Sequence, residues 1–86
     1  MTNRKTAGGW TSPIHVEDPD TGRETTVTDT RQAKDILYHS WPAYHGSQFE
    51  RAEHTCEEAL AGHTSPDEAR RAFIDAAVEA HLHLHS

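Results

Sequence analysis

Histidine is the chain's most abundant chemically versatile residue. Eight are present: His15, His39, His45, His54, His63, His81, His83 and His85. The densest group is "HLHLHS" at 81–86. On a helix, His81 and His85 lie one turn apart and can share a metal ion. In an extended segment alternate residues face one way, so all three imidazoles align. Structural zinc needs three or four ligands in a rigid frame with supporting hydrogen bonds. A polar end segment supplies no such frame, so the expected reading is a solvated tail. His81, His83 and His85 stand only as weak metal candidates, and no cofactor is expected. Protonating every imidazole would carry the formal charge from −6 past neutrality. One reading is that solubility or self-association changes between about pH 7 and pH 5.5; the leading reading is that these are exposed imidazoles with no regulatory use.

A second group is "HSWPAYHGS" at 39–47. Pro42 disfavours a helical residue before it, and Gly46 permits a sharp entry to the next element. Trp41 falls in step with Ile36 and Leu37, so the segment reads as a corner between two helices, with Trp41 inward. His39, Tyr44 and His45 remain as a candidate partner-facing patch, because aromatic residues are favoured interface anchors. Cys56 is the single cysteine. It lies on an apolar stripe, with His54 roughly on the opposite helical face, so it reads as a small buried hydrophobe. Ser, His and Asp are plentiful, but no G-x-S-x-G elbow frames a nucleophile. Gly8-Gly9 is too short a glycine run to cradle a phosphate. No catalytic residues are assigned, and an enzyme ranks third among the readings of function.

The remaining composition narrows the classes further. Eighty-six residues allow one small domain, burying about 60–65% of its unfolded surface. Eight Lys and Arg are scattered among fourteen Asp and Glu. Nucleic acid and anionic membranes are held by clustered cations, so neither is expected as a direct partner. The lone cysteine suits a reducing cytoplasm. "MTNRKTAGGW" has no apolar run after its positive start, and no stretch approaches the ~20 apolar residues of a membrane span.

These residues need elements to position them. Residues 1–11 have no periodicity and read as a flexible arm, followed by one domain over 12–86 with Trp10 covering an edge of it. "PIHVE" alternates and "RETTVT" is β-branched; "DPDTG" between them holds turn residues. Together they predict a β-hairpin. Asp29 caps a first helix, and Gln32 can reach back to complete a capping box. Phe49, Ala52, Cys56, Ala59 and Leu60 recur at helical spacing, and Gly62 is a left-handed stop. In "SPDEA", Ser65 caps, Pro66 takes the first helical position and Glu68 closes a capping box. Ala69, Ala72, Phe73, Ala76, Ala77 and Ala80 form the stripe of a third helix. The expected fold is a single small α+β domain, a β-hairpin followed by three α-helices (ββααα).

The same order and spacing resemble the bacterial domain-of-unknown-function family 982. The matching residues are Val27, Ala33, Leu37, Trp41-Pro42, Gly46, Ala52, Cys56, Ala59-Leu60, Gly62, Ala69-Arg70, Ala72-Phe73, Ala76-Ala77 and Glu79-Ala80, across about 13–80. The resemblance implies a small α+β protein and transfers no catalytic residue. The His-rich end and the glycine-containing arm depart from it. The leading expectation is a small cytoplasmic protein acting through protein contacts, as an accessory or regulatory factor. A homodimer joined at sheet edges or Ala-rich helix faces is the expected assembly, with a further protein partner unidentified. The alternative is a binder of a small ligand or metal through His and aromatic residues.

Overall fold

Alternating side chains build the sheet. A computed structural model describes residues 9–41 and 45–85. Strand β1 (Gly9–Glu17) is central, flanked by β2 (Glu24–Asp29) and β3 (His83–His85), both antiparallel to it. Ile14 faces Val27 and Val16 faces Thr25 across one ladder; Val16 faces Leu84 across the other. These residues line the inner side, where Ile14 and Val27 are buried. His15, Glu17, Thr26, His83 and His85 alternate with them on the outer side. The hairpin loop is tied by Gly22 N–H donating to Asp18 O (2.7 Å) and Asp18 N–H to Arg23 O (2.9 Å).

Helices α1 (Thr30–His39) and α3 (Pro66–Glu79) cover the inner side of the sheet, and α2 (Ser47–Leu60) packs on both of these helices. Asp29 caps α1 by accepting from Gln32 N–H at 2.8 Å. Ser65 caps α3 by accepting from Glu68 N–H at 3.1 Å. Helix α2 has no such residue, because Gly46 stands at its cap. Its cap comes from a distance: the Glu79 carboxylate accepts Gln48 N–H at 3.1 Å, Phe49 N–H at 3.2 Å and Ser47 Oγ–H at 3.4 Å. A negative group there satisfies orphan amides and suits the positive end of the helix.

The alanine stripe is used inside the chain. Ala69, Ala72, Ala76 and Ala77 are all buried, which lets α2 approach α3 around Phe73. These four alanines are therefore occupied within the chain itself. Phe73 is the centre of the core and is fully buried. Trp10 lies 6.0 Å from it and Trp41 5.6 Å, ring centre to ring centre. Thr30 is the one buried polar residue in the described core, and its Oγ1 accepts from Trp10 Nε1 at 3.1 Å.

Three expectations change. The strand begins at Gly9, inside the arm expected over 1–11, because Trp10 is buried rather than laid over an edge; residues 1–8 lie outside the described residues. The His-rich end is a third strand instead of a solvated tail, so the hairpin acquires the partner it lacked. Leu84 turns inward, and His83 and His85 turn out. The stop before β3 carries no glycine. His81 adopts φ +63°, with its N–H donating to Val78 O (3.0 Å) and Leu82 N–H donating to Ala77 O (3.0 Å). This is the left-handed helix ending that Gly62 makes after α2 at φ +86°, with an imidazole residue in the glycine position.

Candidate functional site

The inner side of the hairpin does not close completely on the helices. Where α1 ends, a groove of about 360 Å³ remains between the hairpin loop, the last turn of α1 and the start of β3. Its apolar lining comes from Val16, Ile36, Trp41 and Leu82; its polar lining includes Asp18, Arg23 and Thr25. The hairpin-loop hydrogen bonds fix Asp18 and Arg23. Trp41 is held from behind by Phe49, at 5.7 Å, and Phe73. It therefore does two things: it joins the aromatic core and presents a half-buried edge to the groove.

The sequence-predicted residues are placed elsewhere. His39 is exposed on the last turn of α1. His45 is exposed and lies flat on Phe49, with ring centres 4.0 Å apart and planes 6° apart. Tyr44, the third member of that patch, lies outside the described residues, as does Pro42. His81 ends α3 and no longer shares a helix with His85. His83 Nδ1 and His85 Nε2 each stand 3.7 Å from Glu17 Oε1, and His15 Nδ1 pairs with Thr26 Oγ1 at 2.9 Å. Among the described residues, no group of three or more His, Cys, Asp and Glu side chains is disposed to hold a metal ion.

Cys56 is buried at the core side of α2. Burial pushes its thiol up to about 12, against a smaller opposing pull from Lys34, which suits a structural residue rather than a nucleophile. Tyr38 was not singled out by sequence. It is 44% exposed and donates its hydroxyl to Glu57, with Lys34 Nζ 5.6 Å from its ring centre. That hydrogen bond pushes the phenol up to about 12. Burial raises the Glu53 carboxyl, partly offset by His45. The groove itself was illegible in advance, because its lining comes from three separated stretches, 16–25, 36–41 and Leu82, with no motif among them.

No helix of the described residues is long and apolar enough to cross a membrane. A family model described as "Protein of unknown function (DUF982)" matches residues 12–84. No curated protein and no solved structure matches the chain.

Proposed function

The chain belongs to the DUF982 family of proteins of unknown function, and we propose that it acts through contacts with another protein, as an accessory or regulatory factor, with the groove beside Trp41 as the contact surface. One observation carries the reading: an aromatic ring and aliphatic side chains line one open groove together with hydrogen-bonding groups. Interface hot spots have this anatomy, an apolar anchor site surrounded by a polar rim. The partner segment would place one apolar side chain against Trp41 and Ile36, with polar groups towards Asp18 and Arg23. A reducing, cytoplasmic setting fits the single buried cysteine.

A displayed random-peptide library tests the proposal. Peptides recovered on the native protein should carry an apolar anchor and shift the NMR signals of Thr25, Ile36 and the Trp41 indole. They should lose at least tenfold in affinity for Thr25→Arg, which narrows the groove from a partly exposed position. Peptides that bind equally well to Thr25→Arg would overturn it. The second reading is a small-ligand site. The groove volume favours it, falling within the ~300–1,000 Å³ of ligand pockets. Fragments that bind there while no peptide does would select that reading.

A further inference from the structure

Sheet edges are where folded chains pair by accident. An edge strand presents unpaired N–H and C=O groups, and proteins blunt it with Pro, Lys or irregular backbone. Strand β2 is such an edge, with β1 on its other side. Its sequence, "ETTVTD", has no Pro or Lys, and its centre is β-branched throughout. Thr26 and Thr28 are both exposed. By strand geometry their backbone groups point away from β1 if those of Thr25 and Val27 point towards it.

Those outward groups are occupied. Gln32 Nε2 donates to Thr26 O at 2.7 Å, and Gln32 Oε1 accepts Thr28 N–H at 2.9 Å. The same oxygen accepts Thr28 Oγ1–H at 3.2 Å. One carboxamide thus makes the two bonds that one residue of an added parallel strand would make. It reaches past the helix cap, where sequence alone placed it, to seal the strand before the helix.

We infer that Gln32 closes the β2 edge, and that the surface it closes is one on which a second copy of this chain would pair. Consider two β2 strands meeting antiparallel about Val27. The Thr26 carbonyl of each would accept the Thr28 N–H of the other. These are the same two groups that Gln32 holds. In that register Asp29 of each copy faces Thr25 of the other, so no like charges oppose directly. The dimer by sheet-edge pairing is therefore built into β2 and held off by one side chain on α1. This inference stands apart from the groove, which lies on the inner side of the sheet.

Gln32→Ala and Gln32→Met, both compatible with a helix, should free the edge. Sedimentation velocity over a concentration series should show a dimer at least tenfold tighter than any association of the native protein. Adding Thr28→Pro removes the outward N–H without touching the β1 ladder, and should restore the monomer. Folded Gln32 variants that associate no more than the native protein would overturn the inference, as would association that survives Thr28→Pro. Hydrogen exchange on the native protein decides the matter even if neither variant folds. The Thr28 amide should be protected to the same degree at every protein concentration; protection that grows with concentration would mean that pairing between copies, and not Gln32, covers the edge.

Discussion

Replacing Glu79 should destabilise the protein through a helix to which Glu79 does not belong. Its carboxylate supplies the only side-chain cap described for α2, with bonds to Gln48 N–H, Phe49 N–H and Ser47 Oγ. Losing an N-cap costs about 0.5–2 kcal/mol, and losing a negative charge at a helix N-terminus removes about 0.3–1 kcal/mol more. Glu79→Ala should therefore cost about 2 kcal/mol. For a domain of this size that is a fall in Tm of roughly 8–16 °C. Glu79→Gln keeps an acceptor oxygen and loses the charge, so about 1 kcal/mol is expected. The sign makes the test sharp. Glu79 also sits in the last turn of α3, where a negative charge opposes the helix dipole, so on α3 alone its neutralisation would stabilise by a few tenths of a kcal/mol. Urea titrations of the native protein and both variants, followed by far-UV circular dichroism, separate the two. A Glu79→Gln variant as stable as the native protein, or more so, would refute the capping argument.

Trp41→Ala should cost about 3 kcal/mol, at the low end for a buried tryptophan because one edge is open to the groove; the urea midpoint measures it, and a loss below about 1 kcal/mol would remove Trp41 from the core. Thr30→Val should cost about 1–3 kcal/mol by leaving the Trp10 Nε1–H buried without an acceptor, while Thr30→Ser, which keeps the hydroxyl, should cost less. His81→Gly should raise stability by roughly 0.5–1 kcal/mol, since φ +63° is strained for any residue with a Cβ. Burial raises the Cys56 thiol to about 12, whereas in an unfolded chain it ionises near pH ~8.5. Its contribution to stability is then intact below about pH 8.5 and is lost as pH rises towards 12; Cys56→Ala should flatten that part of the decline, and iodoacetamide should modify the native thiol only as fast as the protein opens.

Local signals carried most of the architecture. Ser65-Pro66 with Glu68, the alternation of "PIHVE" and the stripe from Phe49 to Leu60 each act over a few residues, and each element formed where its pattern lay. What failed to show was tertiary. Nothing near Gly46 says that its helix will be capped by a glutamate more than thirty positions on. The strand at His83–His85 has three residues, too few for a pattern, and it exists because Leu84 finds Val16. His81 gave no stop signal because the left-handed ending usually advertises itself as glycine. Gln32 was recognised as a residue that reaches back, but its target was one strand position further than the capping box suggests. The groove combines side chains from the loop, two strands, α1 and the segment after α3, and only the folded chain brings them together.

The position of β1 has a consequence for how the protein is made. Of the described elements this strand is synthesised before the others, yet it occupies the middle of the sheet, and its second neighbour, β3, comes after the rest of them. A nascent chain that has already formed its hairpin and helices must carry one side of β1 uncovered until His83–His85 have been synthesised. During that interval the growing polypeptide is most open to stray pairing, and there a holding chaperone would do most to protect it.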